Sequence, residues 1–329
     1  EDTSPLTIAD MLSFDETNDS DVQFVAATGT PDTLITRPET ELLVFTGKTF
    51  TPNGEITLQS GGSGAAYDGS LHVDNGATFT ATGTQTHSIG GSFFNDELSA
   101  FNAASSTLLF TATTSGKGIT QLSGETLSFN ELEFTGVGGS WNLAADVEVA
   151  QDMTINAGTV TGTGDITVTS GELTGAGLLS MGGGTTTINQ TNTLGGVQGW
   201  TFFDLVLGDG AVAGTTTRAN TATTTISSTL VINPGHFLDA GASVWNLSGV
   251  GEVFVENGTL LQDTSTFVYS GPGTAEVLST NYYNLQFGGA AGAPQYTFDT
   301  VGFVIENDLL VGGSVASEVD LNTNDPVIL

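Results

Sequence analysis

The amino-acid sequence predicts an all-β chain wound as a parallel β-helix, or β-solenoid. Three observations carry this prediction. From Leu42 onward, apolar runs of four to six residues alternate with Gly, Asn, Asp and Thr, as in Glu55-Ile56-Thr57-Leu58, Leu71-His72-Val73 and Asp165-Ile166-Thr167-Val168. Thr and Val favour pleated surfaces and Gly supplies tight corners. No long helical period follows residue 15. Finally, Ile155, Val160, Ile166, Leu173 and Leu178 stand only five to seven residues apart, which suits a coil of three short strands with roughly 20 residues per turn. Tandem β-sandwich domains are the alternative architecture, disfavoured because the segments are short for sandwich strands and Gly interrupts them so regularly.

In chain order, residues 1–40 read as a separate N-terminal cap or assembly segment and residues 41–329 as the solenoid. Ser4-Pro5 ahead of Leu6, Ile8, Ala9, Met11 and Leu12 predicts an N-cap and a short amphipathic helical stretch. The acidic run Asp15 to Asp21 ends it, Val22 to Ala27 predicts a strand, and Gly29, Pro31 and Pro38 predict turns. Within the solenoid, one apolar beat recurs near 129–134, 202–207 and 282–287, with Leu132, Leu205 and Leu285 separated by 73 and 80 residues. Such a period is too long for one coil and implies several coils per large repeat.

Composition narrows the function. Among 329 residues, 12% are charged, and the net charge of -32 arises because 36 acids face only Lys48, Lys117, Arg37 and Arg218. Nucleic acid binding is excluded, because phosphate contacts need clustered Lys and Arg. Anionic membranes and polyanionic substrates are disfavoured for the same reason. The absence of Cys rules out disulfides, thiol catalysis and Cys-based metal sites. No run of 18 apolar residues predicts a membrane span. Together these features predict an exported protein, extracellular or on a prokaryotic cell surface.

The pattern aromatic-Asn-x-Leu-x-Phe-x-Gly, the strand Ser140-Trp141-Asn142-Leu143, and Asp152-Met153-Thr154-Ile155-Asn156-Ala157-Gly158-Thr159-Val160 resemble repeats of large bacterial and archaeal cell-surface proteins and adhesin-like fibres. The resemblance covers about residues 100–315 and implies a β-solenoid displayed at a surface for adhesion or assembly. It brings no catalytic residues with it.

No catalytic set is assigned from the residues themselves. Glycan hydrolysis needs two facing carboxylates, and Glu131, Glu133 and Asp204 read instead as isolated exposed acids on strands. His72, His87 and His236 lack metal-ligand spacing and read as surface or corner histidines. Gly61-Gly62-Ser63-Gly64 and Gly182-Gly183-Gly184 lack the Lys of a phosphate cradle and read as corners. No cofactor is required, with Ca²⁺ the one ion given a place: Asp15, Asn18, Asp19 and Asp21 put hard oxygen ligands in one short loop. Asn18, Asn189, Asn246 and Asn257 begin Asn-x-Ser/Thr sequons, in a number that chance explains, with Asn246 and Asn257 expected beside accessible turns.

An open solenoid exposes unpaired backbone at its ends. The apolar residues Leu6, Ile8, Met11, Leu12 and Phe14, together with Val327, Ile328 and Leu329, are therefore the expected assembly interface. The expected role is a structural subunit that polymerises with itself head to tail, by strand addition, into an extracellular filament or surface fibre. A monomeric adhesin or stalk binding glycans or other cells is the first alternative, and a polysaccharide-cleaving β-helix enzyme the second.

Overall fold

The computed structural model describes residues 41–288, apart from 53, 63–66 and 82, together with 294–298 and 303–312. It also gives the strand backbone at 6–8, 12–13, 22–24, 34–36, 318–320 and 327–328. Every regular element among the described residues is a β-strand, and these strands pair in parallel. The fold is a parallel β-solenoid, as the Gly-punctuated short runs predict, and the sandwich alternative falls. By contact density the chain divides into Glu1–Val168 and Thr169–Leu329.

In the first unit, a coil consists of three strands and returns to the same sheet with a parallel step. Thr107–Phe110, Lys117–Gln121 and Leu127–Phe129 make one coil, and Glu131–Phe134, Ser140–Leu143 and Val147–Val149 make the next. Leu108 stands beside Leu132, 24 residues on, and Trp141 beside Val160, 19 residues on. Coils near the start are longer, with Leu42 beside Leu71. Because successive strand residues point to opposite faces, Leu108, Phe110, Leu132, Phe134, Met153 and Ile155 all turn inward and are buried. Parallel stacking then places like upon like. The Phe110 and Phe134 rings stack at 5.2 Å, and Phe50, Phe79, Phe101 and Phe129 form a ladder with 5.6, 5.5 and 5.4 Å steps. Each such ring removed from water contributes about 1.5–3 kcal/mol.

Corners are tight enough that side chains do not fit at some of them. Gly158 has φ 75°, and a Cβ there would lie 2.7 Å from the carbonyl oxygens of Gly136 and Gly139 and 2.8 Å from the Trp141 ring.

The second unit starts with the same three-strand coil, as in Gly214–Arg218, Thr224–Ile226 and Leu230–Ile232. After Thr259–Leu261 the described strands alternate between two sheets, and two of them lengthen, to six residues in Tyr282–Phe287 and eight in Val304–Val311. Aromatic packing fills this part: Phe254 stacks on Phe267 at 5.5 Å and Phe298 on Phe303 at 4.8 Å. The Tyr282 hydroxyl donates to the Leu278 carbonyl at 2.8 Å, and that of Tyr296 to the Tyr269 carbonyl at 2.9 Å, so the polar tips of these core rings are satisfied.

Two sequence-based expectations change. The residues Leu6–Ile8 and Leu12–Ser13 are strands rather than helix, paired with Leu34–Thr36 and with Leu42 and Leu43. The apolar spacing there fits both periods over so few residues, and stacking against a neighbouring strand decides it. Within the second unit, Asp204–Leu207 pairs with Thr185–Ile188 and Leu230–Ile232, whereas Tyr282–Phe287 pairs with Thr266–Tyr269 and Val304–Val311. These two copies of the recurring beat occupy different sheets. Any strand with one face inward needs the same alternation, so the beat marks coil strands in general.

Candidate cation site

In the first unit, Leu42–Val44, Leu71–Val73 and Phe93–Asn95 lie side by side, with Leu43, His72 and Phe94 in register. Residues at this register position point outward, and the His72 ring leans on Phe94 with centroids 5.5 Å apart. The chain then turns at Asp74 in one coil and at Asp96 in the next. The two amides are held alike, Asp74 N–H donating to the Val44 carbonyl and Asp96 N–H to that of Val73, both at 2.9 Å. Adjacent strands are about 4.8 Å apart, so the stacking brings two carboxylates together at the end of the strand that carries His72.

Both imidazole nitrogens face acids. Nε2 lies 3.1 Å from Asp96 Oδ2 and Nδ1 lies 3.3 Å from Glu41 Oε1. The Glu41 contact is an ion-pair distance outside hydrogen-bond geometry, and Oε1 is enclosed with no hydrogen-bond donor. One ligand atom each of His72, Asp74 and Asp96 falls within 4.8 Å of the others. The Glu41 carboxylate raises His72 above the usual imidazole pKa, burial opposes it, and Asp96 adds to the rise. Burial works to raise Asp74, but hydrogen bonds from the Thr46 hydroxyl and from the Asn75 and Thr46 amides outweigh it and hold the carboxyl below its usual range. The arrangement suits a positive charge at its centre, either a proton on His72 or a metal ion.

The other two histidines turn into the core. His87 is buried, its Nδ1 accepting from Ile56 N–H at 3.3 Å, and burial pushes it down to about 4. His236 is buried with Nε2 2.8 Å from Thr216 Oγ1, and burial lowers it too. The sequence placed all three at surfaces or corners; two of them instead occupy inward strand positions.

Charge is distributed unevenly between inside and outside. Lys48, Lys117 and Arg218 are all buried, leaving no exposed Lys or Arg among the described residues. Arg218 donates to the Leu194 and Ala222 carbonyls, each at 3.0 Å, and lies 5.5 Å from the Trp245 ring centre; burial pushes it down to about 10.

The remaining predicted residues fall as follows. Asp15, Asn18, Asp19 and Asp21 lie outside the described residues, as do Met11, Phe14 and Leu329. Leu6, Ile8 and Leu12 are in the strands already given, and Val327 and Ile328 pair with Val304 and Ile305. Asn257 sits on an exposed turn, whereas Asn246 is inside the strand Val244–Leu247, its carbonyl accepting from the Ser270 hydroxyl at 2.6 Å. Asn189 is half-buried just after Thr185–Ile188. Glu131 and Glu133 do share the outer face of one strand, but Glu131 accepts from Thr107 and Glu133 from Asn156, at 2.6 and 2.7 Å. Asp204, in the second unit, accepts from the Thr229 amide at 2.9 Å.

The His72 cluster was missed from the sequence because its members converge across three coils. A signal existed all the same: once the coil length is known, Asp96 follows Asp74 by one coil. No helix is long and apolar enough to cross a membrane among the described residues. In comparisons with known proteins, no family model, curated protein or solved structure matches the chain.

Proposed function

We propose that the chain is a structural subunit of an extracellular filament or surface fibre of a prokaryote, adding to copies of itself by strand pairing. In this reading it works by assembling, not by catalysis. The observation that carries it is the strand Val304–Val311. One edge pairs along Tyr282–Phe287, while the other pairs only at Val304 and Ile305 among the described residues. Among the described residues no strand lies on that side of Glu306 to Val311, and Leu310 and Val311 are 54% and 49% exposed. An open edge with apolar side chains is what strand addition uses.

An outer surface without exposed Lys or Arg among the described residues supports display outside the cell, and so does the resemblance of the repeats to surface fibres. The glycan-binding alternative draws on a groove of about 380 Å³ beside the same strand, lined by Asn284, Gln286, Asp308 and Leu310. It stands second because none of the groove's lining residues is the aromatic platform on which sugar rings stack.

Negative-stain electron microscopy of the purified chain, with calcium and with chelator, tests the proposal. Fibres are expected, and Leu310→Lys should abolish them while leaving the far-UV circular dichroism spectrum unchanged. Dispersed particles at every protein and calcium concentration overturn it.

A further inference from the structure

We infer that His72, Asp74 and Asp96 form a binding site for one divalent first-row transition-metal ion, with Glu41 orienting the imidazole from behind. This inference is independent of filament assembly.

The donor set is one imidazole nitrogen and two carboxylates, a mixture suited to Zn²⁺ or Mn²⁺ and poor for Ca²⁺, which takes oxygen alone. The geometry agrees. An ion with bonds of about 2.0–2.1 Å to tetrahedral ligands sets those ligands roughly 3.3 Å apart, and His72 Nε2 already lies 3.1 Å from Asp96 Oδ2. All three ligand atoms fall within 4.8 Å of one another, and the hydrogen bonds from Thr46 and Asn75 hold the Asp74 carboxylate beside the other two. The positions are fixed by stacked backbone, because Asp74 and Asp96 take equivalent places at the ends of adjacent paired strands.

Two further observations point to an ion. A histidine that binds metal through one nitrogen commonly donates the other N–H to a carboxylate, which fixes its tautomer. Glu41 stands on the Nδ1 side of the ring at 3.3 Å, its side chain only 11% exposed, in the place of that second carboxylate. Charge points the same way. Three acids converge on one imidazole, and no exposed Lys or Arg among the described residues is available to offset them. His72 and Asp96 remain 21% and 24% exposed, which leaves room for water to complete the coordination.

The test is isothermal titration calorimetry of the full chain, stripped with chelator, against ZnCl₂ and separately MnCl₂ at neutral pH. One saturable equivalent is expected for at least one of the two ions. His72→Gln should weaken it more than about tenfold, and Glu41→Gln about tenfold, as orienting carboxylates do. Asp96→Asn provides a second ligand variant should His72→Gln fail to fold, with circular dichroism reporting the fold of each. Cobalt substitution adds a readout of coordination, since the visible absorption of bound Co²⁺ should vanish in the ligand variants. The inference is overturned if neither ion binds saturably, or if binding survives unchanged in folded His72→Gln and Asp96→Asn.

Discussion

His72 and His87 lie in neighbouring coils of one solenoid unit and have opposite chemistry, because they differ in strand parity. His72 is the middle residue of Leu71–Val73, where both neighbours turn inward, so its ring is left outside among carboxylates. His87 is the second residue of Thr86–Ile89, at an inward position shared with Leu108 in the next coil, and it faces Phe79 edge-on at 6.1 Å. One is drawn toward the charged state by its partners and the other is held neutral by the core. In this fold a shift of one residue along a strand exchanges a packing position for a chemical one. Inward positions should therefore govern stability, and outward positions should tolerate change while carrying whatever binding the molecule does.

The sharpest way to break that contrast is at an aromatic inward position. Phe134→Ala removes a ring stacked on Phe110 and packed at a tilt against Trp141 and should cost about 3–5 kcal/mol in urea denaturation; a loss below about 1 kcal/mol would mean that the coils do not depend on the aromatic ladder.

Acid should expose the buried histidine next. The folded pKa of His87 is about 4 against an ordinary value of 6.5. Between these values the unfolded chain binds a proton that the folded chain does not. Stability from this source is thus complete above pH 6.5 and falls away as the pH drops toward 4, by about 3 kcal/mol. His87→Leu should flatten that part of the stability–pH curve. It should also lower stability at pH 7 by about 1–2 kcal/mol, because the Ile56 amide loses its acceptor. An unchanged acid slope in the variant would show that His87 is not the group responsible.

Arg218→Met extends the contrast to a cation that serves the interior. It removes the side-chain donor of the Ala222 carbonyl and leaves the Leu194 carbonyl with the Ala219 amide, and should cost about 1–3 kcal/mol in thermal or chemical unfolding. The smallest effect belongs to the outward histidine. In metal-free buffer at pH 7, His72→Gln should change stability by less than about 1 kcal/mol, since its contacts are partly exposed ion pairs. A larger loss would place His72 among the residues that hold the coil together.

The solenoid itself was legible because its rule is local. Short alternating runs such as Glu131-Leu132-Glu133-Phe134, ended by Gly, specify strand, face and corner within a few residues of each other. The N-terminal Leu6–Ile8 strand was not legible, because its partner Leu34–Thr36 is a coil away and spacing alone allowed a helix. The same distance hid the cluster around His72. Glu41, His72 and Asp96 meet only through coil stacking, and the coil lengths that set this meeting vary along the chain. Burial of Lys48, Lys117 and Arg218 was hidden for a related reason: a long side chain with a charged end reads as surface until its strand position is known.

Burial of those three cations also bears on survival outside a cell. Trypsin-like proteases must draw a Lys or Arg side chain into a specificity pocket before they cut. The folded coils from 41 to 288 keep all three of theirs covered, so cleavage at these sites has to wait for local unfolding. A surface fibre built of such coils would meet digestive enzymes of that class without presenting Lys48, Lys117 or Arg218 to them.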